Sequence, residues 1–220
     1  MNDFYVIGDP IKQSKSPLLF NYIFKKLDIH KTYGAYQIEN TRALSDFIDS
    51  CINNHVAGIN ITMPLKESIN KYVSAYDKTA QITKAINCIH FKNNNVIAYN
   101  NDYYGFNKLL EINEVNIENS NNIILGSGGS ARTVILSLIK HRAKNIYILS
   151  RNIETAHTLI KDMLPYAKKT HLRIFTNSTN FKTCNLMNCT PIGMLEKTDI
   201  TIISELPKVN YDYIVDINYN

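Results

Sequence analysis

Short apolar runs alternate with helical repeats through the first half of the chain. Residues 3–8 and 33–38 are apolar and β-prone, so they predict the first two strands. Apolar positions at helical spacing follow each strand. The two helices are expected to begin at N-caps on Ser16, before Pro17, and on Thr41. This alternation of strands and helices indicates an α/β fold.

Shorter elements are predicted in the middle of the chain. A strand is expected at residues 56–62, and Pro64 can start a short helix that carries Lys66. Asp77 is expected to cap a helical segment that runs to residue 85. The middle of the chain therefore continues the strand–helix order.

A hairpin and a polar connection are predicted next. Residues 88–91 and 96–99 are β-prone and flank an asparagine-rich turn, so they predict a β-hairpin. A helix is expected at residues 103–112. The polar segment at residues 113–122 is expected to be a surface loop that leads into the second half.

A glycine-rich turn organises the second half of the chain. An apolar strand at residues 123–125 enters the turn, and a periodic apolar helix follows at residues 131–139. Further elements are a helix at 154–164 and strands at 145–149, 172–175, 186–189 and 213–217. This order predicts a mostly parallel, doubly wound sheet with right-handed crossovers. We place a domain boundary near Gly105, between an α/β domain of residues 1–105 and a second domain of residues 106–220.

The glycine-rich turn has the chemistry of a dinucleotide site. It reads G-S-G-G-S-A from Gly126 to Ala131, and the dinucleotide-binding fingerprint allows alanine at the third position. Glycines let the main chain approach a diphosphate, and the helix N-terminus faces its negative charge. A structural turn without a ligand is one alternative. An S-adenosylmethionine-dependent methyltransferase is another, but its second strand usually ends in an acidic residue, where this chain has Arg151.

Arg151 favours NADP over NAD as the cofactor. An arginine at the end of the second strand pairs with a 2′-phosphate, whereas an acidic residue binds the ribose hydroxyls of NAD and repels the phosphate. Glu154 lies nearby and weakens this argument, and a solvated surface cation is the alternative interpretation of Arg151. NADP is the cofactor that this position predicts.

Composition and charge narrow the class of protein. The chain is 45% hydrophobic and 20% charged, which is ordinary for a globular protein, and no apolar run reaches the roughly 20 residues of a membrane helix. The first residues lack a signal-peptide pattern, so we expect a cytoplasmic protein without a membrane partner. The four cysteines form no Cys-x-x-Cys pair, and we expect no metal. The net charge of +5 is scattered, which suits small anionic ligands and argues against nucleic acid.

Two pairs of polar residues are candidates for substrate chemistry. Ser14 and Ser16 stand at a loop that enters a helix, where hydroxyls and main-chain N–H groups can hold a carboxylate. Lys66 and Asp102 each follow a predicted strand, and such a pair can move a proton to or from a substrate hydroxyl. From position alone, the favoured interpretation of Ser16 is a helix cap and that of Ser14 a loop residue, and spacing alone favours ordinary surface charges for Lys66 and Asp102.

Seven segments match the motifs of one enzyme family in order and spacing. They are GDPIKQSKSPLLFN (8–21), GINITMPLK (58–66), AINC (85–88), NNDYYG (100–105), ILGSGGSAR (124–132), NCTPIGM (188–194) and DINY (216–219). The chain resembles the shikimate and quinate dehydrogenase family over essentially its whole length. The resemblance implies an N-terminal substrate domain, a Rossmann-like NADP domain and the reversible NADP-dependent reduction of 3-dehydroshikimate to shikimate in aromatic amino-acid biosynthesis.

The resemblance also implies roles for individual residues. Lys66 and Asp102 would be the catalytic acid/base pair. The substrate site would use Ser14 and Ser16 for the carboxylate, Thr62, Asn87 and Asp102 for the ring hydroxyls, and Tyr219 to close the site. The cofactor site would use Gly126, Gly128, Gly129, Ala131 and Arg132 at the diphosphate, Arg151 at the 2′-phosphate, and Thr190 and Met194 beside the nicotinamide.

Several positions depart from the family pattern. Gln13 and Phe20 replace two histidines, Cys88 replaces a threonine, and Glu154 and Thr155 stand where a second basic residue is often found. The family continues past the last motif, so we expect a C-terminal truncation. An NAD-preferring quinate or shikimate dehydrogenase and a non-catalytic nucleotide-binding remnant are the alternatives. A monomer or homodimer is expected.

Overall fold

The chain divides into two compact units, Met1–Asn101 and Asp102–Asn220, in the computed structural model. The structure describes residues 1–176, 179, 181–194 and 204–218. Within these residues, every helix is too short or too polar to cross a lipid bilayer.

The first unit is built on a six-stranded sheet with the strand order β2-β1-β3-β5-β6-β4. Its strands are β1 (Phe4–Gly8), β2 (Tyr33–Gln37), β3 (Gly58–Ile61), β4 (Ala75–Tyr76), β5 (Cys88–Lys92) and β6 (Asn95–Tyr99). β1 is parallel to β2 and β3, whereas β5 is antiparallel to both β3 and β6. Its helices are α1 (Ser16–Lys26), α2 (Thr41–Asn53), α3 (Lys78–Thr83) and a short 3-10 helix (Ser68–Tyr72).

The alternation along β1 gives this sheet two different apolar faces. Tyr5 and Ile7 pack into a large core with residues of α2, because successive side chains of a strand point to opposite faces. Val6 faces the other way and packs with Tyr33, and aromatic residues of α1 cover this smaller cluster. The first sheet is therefore buried on both faces at its centre.

The second unit contains five described strands, all parallel, in the order β11-β10-β7-β8-β9. They are β7 (Asn121–Leu125), β8 (Asn145–Leu149), β9 (His171–Ile174), β10 (Thr183–Asn188) and β11 (Asn210–Asp216). The helices are α4 (Asp102–Ile112), α5 (Gly129–Lys140), α6 (Ile153–Met163) and a short 3-10 helix (Leu164–Tyr166). The predicted α/β class is confirmed.

Two predicted helix caps are wrong by one residue. α1 begins at Ser16 itself, with Lys15 at the N-cap and no side-chain cap, because Ser16 already has helical backbone. α2 is capped by Asn40, whose side chain accepts a hydrogen bond from the Ala43 N–H at 3.0 Å. The Asp77 cap is confirmed, since its carboxylate accepts from the N–H groups of Thr79 and Ala80.

Two further predictions needed correction in detail. The segment that carries Lys66 is a turn and not a helix, because the Leu65 N–H bonds to the Thr62 carbonyl three residues back, at 3.0 Å. The polar segment at residues 113–122 is not wholly a surface loop. Ile117 is 2% exposed, and β7 already begins at Asn121.

Candidate active site

Residues of three neighbouring strands meet at the carboxyl edge of the first sheet. Thr62 follows β3, and Asn87 precedes β5, which starts at this edge because it is antiparallel to β3. The Asn87 carbonyl accepts a hydrogen bond from the Ile61 N–H at 2.9 Å, and its N–H donates to the Tyr99 carbonyl at 3.1 Å. The main chain of Asn87 is thus held between β3 and β6.

Lys66 is fixed to the same edge through its main chain. Its carbonyl accepts a hydrogen bond at 2.8 Å from the N–H of Ile86, the residue before Asn87. Leu65 and Ile86 on either side are buried in the core, so the turn is anchored, and the Lys66 side chain is half-buried. The structure therefore brings Lys66 and Asn87 to neighbouring main-chain positions.

The loop after β1 lies against the loop after β3. The Asp9 N–H donates to the Met63 carbonyl at 2.9 Å, and the Thr62 N–H donates to the Ile7 carbonyl at 2.9 Å. Gly8 permits this approach, since a Cβ there would lie 2.8 Å from the Met63 carbonyl oxygen and would also clash with Thr62. The two loops are thus packed main chain to main chain.

Ser14 and Ser16 follow in the loop that enters α1. Both are half-buried, and the Ser16 N–H donates to the Ser14 Oγ at 3.4 Å. A hydroxyl that accepts from the main chain still has a proton to donate, so the pair can bind an anion at the start of α1.

Asp102 stands at the junction between the units. It is the first residue of α4, its side chain is half-buried, and the neighbouring Asn101 N–H donates to the Asn87 Oδ1 at 2.8 Å. An acidic residue in the first turn of a helix is stabilised by the helix dipole. The residue directly before Asp102 is thus bonded to a side chain of the first unit's edge.

The glycine turn after β7 packs closely against the loop after β10. Gly126 has φ of +96°, and a Cβ there would lie 3.0 Å from the Thr190 Cγ2 and 3.3 Å from the Cys189 carbonyl oxygen. Gly128 is the N-cap of α5 and makes no side-chain cap, as a glycine must, and Gly129 opens the helix. Main-chain N–H groups at a helix start without a side-chain cap suit a bound phosphate, so these residues fit the predicted dinucleotide.

A chain of hydroxyls joins this turn to the end of β8. The Ser127 Oγ lies 2.9 Å from the Ser150 Oγ and 2.6 Å from the Thr155 Oγ1. Asn152 caps α6 by accepting from two main-chain N–H groups. Arg151 lies between Ser150 and this cap, and its side chain is exposed. A cation therefore stands where the fingerprint places the ribose 2′-substituent.

The loop after β10 is held by asparagine side chains. The Asn188 Oδ1 accepts from both the N–H and the hydroxyl of Thr190, at 3.0 and 2.7 Å. The Asn218 Nδ2 donates to the Thr190 carbonyl at 2.8 Å, and the Met194 N–H donates to the Pro191 carbonyl at 3.2 Å. Thr190 and Met194 thus belong to one well-bonded loop beside the glycine turn.

Comparison with known proteins agrees with these motifs. Residues 6–89 match the family model of the shikimate dehydrogenase substrate binding domain. The chain is 33% identical over 219 residues to the shikimate dehydrogenase (NADP(+)) of Clostridium beijerinckii, a match that covers 99% of this chain and 78% of that protein. The chain belongs to the shikimate dehydrogenase family.

Solved structures of shikimate dehydrogenases share the fold. One that was solved in complex with NADP+ is 30% identical, has a TM-score of 0.81, and is matched over 99% of this chain and 76% of its own. The shikimate dehydrogenase of Aquifex aeolicus is 27% identical with a TM-score of 0.80, and the match covers 99% of this chain and 79% of that one. The predicted Rossmann-like second half agrees with these neighbours.

Three residues that the family motifs assign to ligands need separate comment. The Arg132 side chain is 5% exposed, and its Nη1 donates to the Asp162 Oδ2 on α6 at 2.9 Å, so this side chain ties α5 to α6. Ala131 beside it is fully buried. Tyr219, expected to close the substrate site, lies outside the described residues.

Cys88 replaces the threonine of a shikimate dehydrogenase motif. Burial raises the pKa of its thiol above the ordinary value, so it is a neutral thiol at pH 7. Burial also raises the pKa of Cys51 and of Cys184 to about 12. A neutral, half-buried thiol at position 88 packs much as a small apolar side chain does.

Tyr33, the first residue of β2, and Asn60 on β3 do not appear among the predicted site residues. The Tyr33 hydroxyl donates to the Asn60 Oδ1 at 2.7 Å, and the Asn60 Nδ2 donates to the Asn87 carbonyl at 3.3 Å. The signal for Asn60 was present, because an amide between Ile59 and Ile61 breaks an otherwise apolar strand. No sequence signal pointed to Tyr33.

Proposed function

We propose that this chain catalyses the NADP-dependent interconversion of 3-dehydroshikimate and shikimate. The observation that carries the proposal is the edge of the first sheet, where the Lys66 carbonyl accepts a hydrogen bond from the N–H of Ile86, the residue directly before Asn87. A proton-transfer residue beside a hydrogen-bonding amide is what a substrate with ring hydroxyls requires. Membership of the shikimate dehydrogenase family supports the substrate.

We assign the substrate carboxylate to Ser14 and Ser16 at the start of α1. Two hydroxyls at a helix N-terminus favour an anion. Thr62, Asn87 and Asp102 are assigned to the ring hydroxyls, because a hydroxyl, an amide and a carboxylate offer both donors and acceptors. The Asn87 Oδ1 accepts a hydrogen bond from the Asn101 N–H at 2.8 Å, which helps to fix the orientation of this amide.

Lys66 is assigned as the acid/base residue. In the reductive direction its ammonium group donates a proton to the carbonyl oxygen of the substrate as that oxygen becomes a hydroxyl. In the oxidative direction the neutral amine takes the proton back. Asp102 accepts a hydrogen bond from the same hydroxyl and orients it. General acid–base catalysis of this kind contributes about 10² to 10⁴ in rate.

The second unit is assigned to the cofactor, which supplies the hydride acceptor or donor when it is bound. Gly126, Gly128 and Gly129 would surround the diphosphate, Arg151 would pair with the 2′-phosphate, and the loop of Thr190 and Met194 would border the nicotinamide. Main-chain N–H groups and one cation suffice to neutralise much of the charge of such a ligand.

An assay of the purified chain tests this function. Shikimate and NADP+ are mixed with the protein, and the absorbance of the reduced cofactor is followed, with quinate and NAD+ as parallel substrates. Turnover with the highest kcat/KM for shikimate and NADP+ is expected. A higher kcat/KM for quinate or for NAD+ would replace this substrate or cofactor assignment.

Calorimetry separates an inactive binding protein from a failed assignment. Binding of NADP+ without any turnover would identify a non-catalytic nucleotide-binding protein, and absence of both binding and turnover would overturn the proposal.

A cytoplasmic location and a monomeric or homodimeric state stay predictions. Size-exclusion chromatography with light scattering decides the oligomeric state.

A further inference from the structure

Thr83 carries a buried hydroxyl at the last residue of α3. Its side chain is fully buried, and its Oγ1 donates to the Thr79 carbonyl, one helical turn back, at 2.8 Å. Because its one proton is engaged there, the oxygen acts as an acceptor toward the Asn100 Nδ2 at 3.0 Å and the Ala85 N–H at 3.3 Å. The hydroxyl therefore joins α3 to the segment before β5 and to the segment after β6.

Asn100 is bonded to both ends of α3. It is 1% exposed, its N–H donates to the Asp77 Oδ1 at 3.3 Å, and its carbonyl accepts from the Thr79 Oγ1 at 3.3 Å. Asp77 is the N-cap of α3, and Thr83 is its last residue. The main chain of Asn100 is thus held at the start of the helix, and its side chain is held at the end.

Asn100 lies within the segment that leads to Asp102. On one side of it, the Tyr99 carbonyl accepts from the Asn87 N–H at 3.1 Å. On the other side, the Asn101 N–H donates to the Asn87 Oδ1 at 2.8 Å. Asp102 follows directly. The position of Asn100 therefore sets the point at which the chain reaches Asp102.

The other segment that Thr83 contacts is anchored beside Lys66. Ala85 is 1% exposed, and its N–H reaches the Thr83 Oγ1. The next residue, Ile86, donates its N–H to the Lys66 carbonyl at 2.8 Å, and Asn87 follows. The hydroxyl thus lies between two chain segments that both carry residues of the proposed mechanism.

We propose that Thr83 is a positioning residue for the substrate site and acts through Asn100 on Asp102. This inference rests on the proposed function, because it assumes that Asp102 orients a hydroxyl of the substrate. Thr83 is buried in the core and contacts neither substrate nor cofactor. Its hydroxyl fixes the spacing between the segment that leads to Asp102 and the segment that carries Asn87.

Thr83→Val and Thr83→Ser separate positioning from packing. Valine keeps the shape and removes the hydroxyl, and we expect kcat/KM for shikimate to fall about tenfold and the calorimetric Kd for shikimate to rise, with an unchanged Kd for NADP+. Serine keeps the hydroxyl and removes a methyl group from the core, so it should lower the Tm and keep the wild-type kcat/KM. An unchanged kcat/KM in Thr83→Val, or equal losses in both variants, would overturn the inference.

Thr170→Val is the matched control in the second unit. Thr170 is 7% exposed, and its Oγ1 donates to the Ala143 carbonyl at 2.7 Å. Its loss removes a buried hydroxyl from a hydrogen bond in the same way, so a comparable loss of stability is expected with no change in kcat/KM for shikimate. An equal loss of kcat/KM in this control would show that activity follows stability, and the positioning role of Thr83 would be rejected.

A double-mutant cycle with Asp102→Ala shows whether the effect reaches Asp102. The factor by which Thr83→Val raises the calorimetric Kd for shikimate is expected to shrink toward one in the Asp102→Ala background, because the carboxylate to be positioned is absent. A merely structural role of the hydroxyl predicts the same factor in both backgrounds, and that result would contradict the inference.

Asn100→Leu provides a second route if Thr83→Val fails to fold. Leucine keeps the branched skeleton of the side chain and removes the amide that reaches Thr83, so kcat/KM for shikimate should again fall about tenfold. A wild-type chain that turns over shikimate while the Thr83 and Asn100 variants match it would reject the positioning role alone. A wild type that neither binds nor turns over shikimate would reject the proposed function with it.

Discussion

The two sheets present different chemistry at their carboxyl edges. In the first unit, Thr62, Lys66 and Asn87 project side chains from a main chain that neighbouring strands hold in place. In the second unit, the turn after β7 offers glycine main chain and the start of α5, and Gly126 has a conformation that other residues rarely adopt. The proposed substrate needs varied polar contacts, whereas a diphosphate needs little more than N–H groups and a favourable dipole. Substitutions should therefore affect the two edges in different ways.

The largest effect is expected for Lys66→Ala in the first unit. We expect kcat to fall about 10³-fold with a much smaller change in the KM for shikimate, because the side chain acts on the proton and binds little of the substrate. Steady-state kinetics measure both values. Lys71→Ala is the control, since Lys71 is an exposed lysine of the same segment. An unchanged kcat with a greatly raised KM would contradict the acid/base role.

Arg132→Met tests whether the glycine turn of the second unit binds the cofactor through its main chain and without the Arg132 side chain. The buried Arg132–Asp162 pair is expected to contribute to stability, so its loss should lower the free energy of unfolding by about 2–3 kcal/mol, less than for a fully buried pair since Asp162 is 18% exposed. The KM for NADP should stay the same.

The exposed Arg142–Glu118 pair provides the control for that measurement. Its side chains are 81% and 55% exposed, so Arg142→Met should cost about 0–1 kcal/mol in a denaturant titration. If Arg132→Met instead raises the KM for NADP and leaves stability intact, the side chain of Arg132 belongs to the cofactor site.

Arg151→Gln removes the side chain that is proposed to pair with the 2′-phosphate and so to favour NADP over NAD. We expect kcat/KM for NADP to fall by about tenfold to a hundredfold, the worth of a charge-assisted hydrogen bond, while kcat/KM for NAD changes little. Arg173→Gln, at an exposed arginine on β9, is the control. Equal losses with both cofactors would show that Arg151 does not recognise the 2′-phosphate.

The smallest effects are expected for Gly126→Ala and Gly105→Ala, which compare a glycine of the cofactor turn with a glycine inside a helix. At position 126 the methyl group meets the Thr190 side chain at positive φ, so a loss of about 1–2 kcal/mol of unfolding free energy and a raised KM for NADP are expected. At position 105, inside α4, a Cβ meets nothing within 4 Å, and alanine should stabilise by about 0.5–1 kcal/mol. Thermal unfolding compares them. If both variants change the stability equally, the backbone conformation at position 126 does not require a glycine.

Local backbone chemistry explains which features were predictable. The turn at Gly126 and the helix that follows it are encoded by neighbouring residues, and both form as predicted. The caps of α1 and α2 were each predicted one residue too late, and the observed N-cap of α1, Lys15, makes no side-chain cap that a sequence pattern could indicate. At α2 both Asn40 and Thr41 are suitable, and the extended backbone of Asn40 decides between them.

Long-range partners explain what the sequence did not reveal. Arg132 lies beside the glycines in sequence, but its guanidinium bonds Asp162, 30 residues further along. Tyr33 and Asn60 are 27 residues apart, and they meet because both lie on the same face of the sheet and the tyrosine side chain reaches across β1. Such pairs follow from strand order and from the direction of each side chain, which periodicity alone does not specify.

The hairpin of β5 and β6 has a practical consequence for labelling the enzyme. Its two ends join Asn87 and Asn101 at the carboxyl edge, while its tip is a two-residue turn of Asn93 and Asn94 with positive φ. Five residues of strand place that exposed tip about 16 Å from the edge. An epitope or fluorophore inserted at the tip would label the protein at a distance from the proposed substrate-binding residues.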